Sequence, residues 1–264
     1  MIHPIPSQAV TRAQLAEQFA ALGLSKGARV LVHSSLSSLG YVLGGADAVV
    51  DALLDAVGPE GTVMVPNLPF SGSLTGWLTP GPTFDVRRTP SKMGAITEAL
   101  RLRADARRSL HSSHSVAAIG REQGEMLAGH ELSFTSCGLT SPYYKNAHRP
   151  GGWVLMIGVT LRNMTTFHSI EEVNELPYLF SGVVFTSYVK DYDGRLLTIR
   201  TRGYADGIKR NFPAPEPLLL KEGVMRIGRV ASAECRLMDA SATWDLVERA
   251  VREDPYLLLL NKPK

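Results

Sequence analysis

Four short apolar runs, each followed by a polar loop and a helical pattern, constrain the fold most strongly. They occupy residues 28–33, 62–66, 116–119 and 153–159. Strands that alternate with helices along a chain are typical of a partly parallel sheet covered by helices. The sequence therefore predicts an α/β fold with a mixed, partly parallel central sheet flanked by helices.

The pattern changes after Gly182, where apolar and polar residues begin to alternate. Two such runs, 183–189 and 196–201, flank the turn sequence Asp-Tyr-Asp-Gly at 191–194. This arrangement predicts an antiparallel hairpin. A further strand is predicted at 223–237, so the end of the chain is expected to be rich in hairpins.

These patterns fit one domain over residues 1–264. Its N-terminal α/β part would cover about residues 8–180, and its C-terminal β-rich part about residues 181–264. We expect either a monomer or a homodimer.

Composition excludes several classes of protein. The net charge of +3 is small and evenly spread, which argues against nucleic-acid binding. No apolar run reaches the roughly 18 residues of a membrane span, and the N-terminus shows no signal peptide. Cys137 and Cys235 lack a metal-binding spacing. A reducing, cytoplasmic location is expected.

The segment 165–175 carries the strongest chemical pattern. If it is helical, His168, Glu171, Glu172 and Glu175 share one face. An imidazole beside a carboxylate is what a general base requires, because the carboxylate orients the ring and stabilises its charged form. The simpler alternative is a solvated polar face that stabilises a helix.

Three polar loops follow predicted strands, at 33–40, 67–90 and 160–168, where the functional site of an α/β fold is expected. The serine-rich loop 33–40 precedes a helix, so its backbone N–H groups are suited to a phosphate or an oxyanion. An ordinary connection is the alternative. The loop 67–90 is long and irregular, and a functional role is typical of such loops.

A metal-dependent hydrolase is the second functional hypothesis. The sequence from His168 to Glu172 begins like a zinc-binding helix, but its second histidine is missing. Such a site would need His111 or His114 as a further ligand. A Gly-x-Ser-x-Gly nucleophile motif is absent from the sequence.

Five segments together resemble the aminoglycoside N(3)-acetyltransferase family, in the order of that family. The likeness spans roughly residues 8–260, and one departure is Ser112, where the family usually has proline. The segments are residues 32–40, residues 61–66, residues 84–85 with 89–94, residues 108–120, and residues 151–159 leading to 165–171.

The resemblance implies transfer of an acetyl group from acetyl-CoA to the 3-amino group of a 2-deoxystreptamine aminoglycoside, which confers antibiotic resistance. It implies that His168 is the general base, that Glu171 supports it, and that no metal takes part. The residues implied to bind the coenzyme are Ser34, Ser35, Leu36, Ser37, Ser38, Arg108, Ser109, Ser113, His114 and Val116.

A polycationic acceptor is expected to contact carboxylates. The candidate acceptor-binding residues are Asp85, Glu172, Glu175, Asn67 and Phe70. Two further alternatives remain open: an acetyltransferase that acts on another small amine, and a protein that binds the antibiotic or acyl-CoA without chemistry.

Overall fold

The computed structural model describes residues 9–262, and in that range it contains ten strands and nine α-helices. The strands are β1 Arg29–Ser34, β2 Thr62–Pro66, β3 Thr83–Asp85, β4 Arg107–Arg108, β5 Val116–Gly120, β6 Gly152–Ile157, β7 Phe180–Lys190, β8 Leu196–Tyr204, β9 Met225–Val230 and β10 Ala233–Asp239. The helices are α1 Arg12–Leu22, α2 Gly45–Val57, α3 Leu74–Leu78, α4 Ala95–Leu102, α5 Gln123–Leu127, α6 Pro142–Ala147, α7 Thr166–Val173, α8 Glu216–Lys221 and α9 Ala240–Glu253. Within 9–262, none of the helices has both the length and the apolar character that crossing a membrane requires.

The central sheet has the strand order β4-β5-β2-β1-β6-β10-β9. Strand β1 runs parallel to β2 and β6, whereas the other pairs are antiparallel. The predicted mixed, partly parallel sheet is therefore confirmed. Because β1, β2 and β6 point the same way, the loops that follow them meet at one edge of the sheet.

Both faces of the sheet are buried, which explains why its middle strands are almost wholly apolar. On β1, Val30 and Val32 belong to the core cluster that includes residues of α1, α2 and α4. Leu31 faces the opposite way, into a cluster with residues of α6, α7 and α9. This alternation follows from the two-residue period of a strand. As a result, α7 packs on the face of the sheet to which Leu31 points.

The predicted hairpin is confirmed as β7 and β8, which form a second sheet with β3 in the order β3-β7-β8. The loop 67–90 is more ordered than its composition predicts, because it contains α3 and β3. The Ser73 side chain caps α3, and Phe84 on β3 is fully buried. Arg108 also holds this segment, since its guanidinium donates to backbone carbonyls of Thr89 at 2.6 Å and Asn67 at 3.0 Å.

The stretch 223–237, expected to be strand, is a second hairpin made by β9 and β10. It joins the central sheet through β10, which pairs with β6. In return, β3 from the N-terminal part pairs with β7. Each part therefore contributes strands to the sheet of the other, which supports our proposal of a single domain.

Candidate active site

His168 and Glu171 form a hydrogen-bonded pair at the start of α7. The His168 Nδ1 and Glu171 Oε2 atoms are 2.9 Å apart, as the three-residue spacing on a helix predicts. The Glu171 side chain is fully buried, whereas 20% of the His168 side chain is exposed. The imidazole thus has one nitrogen engaged by the carboxylate and retains access to a ligand.

Two further side chains hold the Glu171 carboxylate. Arg210 Nε donates to both carboxylate oxygens, at 3.0 and 2.9 Å, and the Tyr178 hydroxyl donates to Oε1 at 2.9 Å. Three donors around one buried carboxylate favour its ionised form. Glu171 is therefore a fixed negative charge that orients His168.

The surroundings of this pair set both of its pKa values. Burial lowers the pKa of His168, the positive charge of Arg210 lowers it further, and the hydrogen bond to Glu171 opposes them. Burial would raise the pKa of Glu171, but His168 and Arg210 outweigh that effect and lower it. At neutral pH His168 is thus unprotonated and able to accept a proton.

The His168 side chain lines a cavity of about 420 Å³. Aromatic rings surround the imidazole: Tyr204 stacks on it at a centroid distance of 5.7 Å, and Phe212 and His114 contact it edge-on at 4.9 and 5.9 Å. The predicted residues His114 and Phe70 line this cavity. The other lining residues are Leu68, Gly72, Ser73, Leu74, Thr75, Tyr204, Ala205, Asp206, Gly207, Ile208 and Arg210.

Glu172, a predicted acceptor contact, is buried and does not line the cavity that contains His168. Its carboxylate accepts hydrogen bonds from the Tyr204 hydroxyl at 2.5 Å and from the Cys137 backbone N–H at 2.6 Å. Burial raises its pKa to about 7, even though these donors oppose the shift. The ring of Tyr204 stacks on His168, so Tyr204 contacts both Glu172 and the imidazole.

The remaining predicted acceptor contacts lie in different places. Glu175 is exposed, forms an ion pair with Arg202 at 2.8 Å, and lines a second cavity of about 400 Å³ together with Glu172. Asp85 belongs to β3 and accepts hydrogen bonds from the backbone N–H groups of Arg87 and Arg88. The structure does not bring these carboxylates into the cavity that contains His168.

The serine loop follows β1 and is closed by its own hydrogen bonds. Residues Leu36–Leu39 form a 3₁₀ turn, in which the Ser38 hydroxyl donates to the Ser35 carbonyl at 2.7 Å. The Ser35 and Ser37 hydroxyls are 3.1 Å apart. The residues that line the His168 cavity do not include 34–38.

Several polar atoms at the carboxyl edge of the sheet are buried without a hydrogen-bond partner among the described residues. They are His33 Nε2 and Ser34 Oγ at the end of β1, Asn67 Oδ1 after β2, and Thr166 Oγ1 at the start of α7. Leaving such a group unpaired costs about 1–3 kcal/mol. Buried polar groups without partners thus gather at the carboxyl ends of β1 and β2 and at the start of α7.

The predicted coenzyme segment 108–116 is buried. Ser113 Oγ lies 3.2 Å from His111 Nδ1 and 3.1 Å from His114 Nδ1. Ser109 Oγ lies 2.8 Å from His130 Nδ1 and accepts from the backbone N–H of Val116. Burial lowers the pKa of His111 to about 4, so its ring is neutral. This serine–histidine network holds His114 against the cavity.

Tyr178, Tyr204 and Arg210 complete the site but were not predicted from the sequence. Tyr178 lies only seven residues after Glu171, so a contact between the two residues was predictable from the sequence. Arg210 is 39 residues from Glu171, and its flanking residues show no pattern that marks it. Among residues 9–262, no group of three or more His, Cys, Asp or Glu side chains is arranged to hold a metal ion.

Comparisons with known proteins identify the family of this chain. The family model described as aminoglycoside 3-N-acetyltransferase matches residues 31–252. The SPbeta prophage-derived aminoglycoside N(3')-acetyltransferase-like protein of Bacillus subtilis (strain 168) is 32% identical over 90% of this chain and 91% of its own length.

Two solved structures are similar along nearly the whole chain. AAC-IIIb in a binary complex with CoASH has a TM-score of 0.80 and 26% identity, covering 97% of this chain and 100% of its own. AAC-VIa bound to sisomicin has a TM-score of 0.76 and 25% identity, covering 93% and 98%. The resemblance inferred from the sequence is thereby confirmed: the chain belongs to the aminoglycoside 3-N-acetyltransferase family and is an acyltransferase.

Proposed function

We propose that this enzyme transfers the acetyl group of acetyl-CoA to the 3-amino group of a 2-deoxystreptamine aminoglycoside, with both substrates bound together. The observation that carries this proposal is the neutral His168, oriented by a buried, ionised Glu171, at the wall of a cavity of about 420 Å³. The similar structures of AAC-IIIb with CoASH and of AAC-VIa with sisomicin support the choice of substrates.

The proposed reaction begins with proton transfer. An acceptor ammonium becomes a nucleophile when it loses a proton, and His168 Nε2 receives the proton of the attacking amine, directly or through one water. The amine nitrogen bonds to the thioester carbonyl carbon, and the carbon–sulfur bond breaks. The proton that His168 receives from the attacking amine passes to the departing sulfur, so the coenzyme leaves as a thiol, and the proton first lost by the ammonium passes to solvent. Glu171 balances the imidazolium that forms during attack, as the acid of a triad does.

The proposed coenzyme site lies at the carboxyl edge of the central sheet. The unpaired groups of Ser34, Asn67 and Thr166 supply polar contacts there, and the serine loop supplies backbone N–H groups. Of these groups, the Ser34 and Thr166 hydroxyls and the backbone N–H groups are donors suited to an oxyanion on the thioester, whereas Asn67 Oδ1 is an acceptor.

The proposed acceptor site is the cavity itself. Asp206 lines it and adds a carboxylate that the sequence did not indicate. Phe70 and Tyr204 provide flat apolar walls against which a sugar ring packs. Glu172 is assigned an indirect role here, through the hydroxyl of Tyr204.

The test of this proposal is the identity of the product. Incubation with acetyl-CoA and sisomicin is expected to give one N-acetyl derivative, with the acetyl group on the 3-amino nitrogen by NMR. A panel of other small amines in the same assay serves as the comparison. Acetylation of those amines in preference to sisomicin would support the alternative acceptor class, and no acetylation of any amine would refute the proposal.

Replacing Arg210 is expected to move the pH profile of the reaction. The charge of Arg210 lowers the pKa of His168, so Arg210→Gln should raise that pKa. Since His168 works as a base only when it is unprotonated, the acidic limb of kcat/KM should shift to higher pH. Arg202→Gln, which removes a surface partner of Glu175, is the control and should leave the limb in place. An unshifted limb in Arg210→Gln would contradict the assignment.

Gly158 is expected to control the serine loop. Its φ of +62° lies in the left-handed region, and an added Cβ would overlap the Ser38 hydroxyl. Gly158→Ala should lower stability by about 1–2 kcal/mol through φ alone and should also weaken coenzyme binding by displacing Ser38. Gly151→Ala is the matched control, because its φ is +78° but nothing lies within 4 Å of the added carbon. Calorimetric titration with CoA should show weaker binding to Gly158→Ala than to Gly151→Ala. Equal affinities of the two variants would argue against a coenzyme role for the loop.

The metal-dependent hydrolase hypothesised from the sequence is not favoured by the family to which the chain belongs, and it has its own test. It requires His111 or His114 to join His168 and Glu171 at one ion. Elemental analysis of the purified enzyme, with activity measured before and after chelation, distinguishes the two chemistries. Stoichiometric zinc together with chelator-sensitive activity would support the hydrolase.

A further inference from the structure

Five arginines surround a small cavity beside the edge strand β4, away from the cavity that contains His168. The cavity has a volume of about 210 Å³, and no carboxylate lines it. Tyr192, from the turn between β7 and β8, closes one side. The arginines are Arg87, Arg101, Arg103, Arg107 and Arg108.

The floor of this cavity carries buried positive charge that is incompletely balanced. Arg108 is 4% exposed, and its hydrogen bonds go to the neutral backbone carbonyls of Val86, Thr89 and Asn67. Its Nε has no partner among the described residues. A buried charge without a counter-ion is costly, so an anion bound here would be stabilised.

Neighbouring charges do not remove this excess. The Arg101 side chain is 6% exposed and pairs with Glu98, the carboxylate that balances it. Burial, together with the charge of Arg101, lowers the pKa of Arg108 to about 9. The charges of Glu98 and Asp85 both act on Arg108, but Glu98 is already paired with Arg101 and Asp85 lies 3.7 Å from Lys190. Neither carboxylate lines the cavity, so the lining itself is positively charged.

The rim of the cavity carries exposed guanidinium groups that can donate hydrogen bonds. The guanidinium groups of Arg87 and Arg107 each lie 5.0 Å from the centroid of the Tyr192 ring. Arg107 is exposed and forms no ion pair in the part of the chain that the structure describes. Tyr192 is itself anchored, because its hydroxyl accepts from the backbone N–H of Arg108 at 2.6 Å. The rim is therefore held in place while its charges face solvent.

We propose that this arginine cavity is a binding site for a phosphate dianion. Guanidinium groups match the geometry of phosphate oxygens and bind them through paired hydrogen bonds. The volume suits a single phosphate group, since sites for drug-sized ligands begin at about 300 Å³. The phosphate has two possible sources, the 3'-phosphate of coenzyme A or a separate phosphorylated small molecule. The first source rests on the proposed function, whereas phosphate binding itself does not.

The first experiment measures thermal unfolding in inorganic phosphate and in chloride at equal ionic strength. At a tenfold excess over Kd, phosphate should raise the Tm of the wild-type enzyme by roughly 3 °C. Arg107→Ala should lose this rise, and Arg107→Lys should keep part of it because the charge remains. Arg252→Ala removes another exposed arginine, from α9, and should behave as wild type.

The second experiment compares the affinities of coenzyme A and 3'-dephospho-coenzyme A by calorimetry, without an acceptor. If the cavity holds the coenzyme phosphate, wild type should prefer coenzyme A about tenfold, and Arg107→Ala should lose most of that preference. An unchanged preference, with the phosphate effect on Tm lost, would assign the cavity to a separate phosphorylated ligand. If Arg107→Ala matches wild type in both experiments, the proposal is overturned. Acetyl transfer is measured separately, so either proposal can fail without the other.

Discussion

His168→Ala is expected to lower the turnover number by roughly 100- to 10,000-fold, the usual contribution of a general base. Affinity for coenzyme A should stay near that of wild type, because the serine loop and the segment 108–116 do not depend on the imidazole. The fold should also persist, since Glu171 keeps its hydrogen bonds to Arg210 and Tyr178. Steady-state thiol release and coenzyme titration measure the two effects separately.

His148→Ala is the control for this variant. His148 is an exposed histidine that stacks on Tyr144 and lies outside the cavity that contains His168. It should retain wild-type turnover. If His168→Ala turned over as fast as His148→Ala, His168 would not be the general base.

Glu171→Gln should reduce both turnover and stability. The substitution removes the charge that balances the imidazolium, and loss of this role in triads costs up to roughly 10,000-fold. It also leaves Arg210, whose side chain is 19% exposed, without its counter-charge. Removing one partner of a buried ion pair typically costs about 3–5 kcal/mol, and the partial exposure of Arg210 favours the lower end. Urea unfolding and thiol-release kinetics provide the measurements.

Glu175→Gln is the matched control, because it removes a carboxylate that lies just beyond the end of α7. Its partner Arg202 is at the surface, where an ion pair contributes about 0–1 kcal/mol. If Glu171→Gln lost no more stability and activity than Glu175→Gln, the structural account of the pair would be wrong.

The stability difference between wild type and Glu171→Gln should also depend on pH. The pKa of Glu171 is lower in the folded enzyme than its ordinary value. Its stabilising contribution is therefore complete above the ordinary value and is lost as the pH falls through the folded-state pKa. Unfolding experiments at neutral and acidic pH should show the two proteins converging in acid.

The central sheet and the pairing of His168 with Glu171 were predictable because both depend on local sequence patterns. Strands β1, β2 and β6 appear as apolar runs, and His168 and Glu171 are three residues apart on one helix. A short-range pattern determines which side chains share a face. The hairpin β7–β8 was predictable for the same reason, since its turn sequence joins two alternating runs.

The parts that escaped prediction depend on contacts between distant segments. Strand β3 has three residues, and Phe84 pairs with Val189 far along the chain. Arg210 reaches Glu171 from a loop after β8, and Tyr204 reaches Glu172 from the end of that strand. Such contacts depend on the folded arrangement of both sheets, which no local pattern specifies. The same limit applies to Asp85 and Glu175, whose sequence neighbours do not indicate that they lie outside the cavity.

The most direct test of the account is thiol release from acetyl-CoA, measured with and without sisomicin, by wild type and His168→Ala at saturating coenzyme. We predict that wild type releases one thiol for each acceptor acetylated, that release without acceptor is negligible, and that His168→Ala loses the acceptor-dependent rate while still binding coenzyme. Thiol release that is independent of the acceptor, or that persists at the wild-type rate in His168→Ala, would contradict the account.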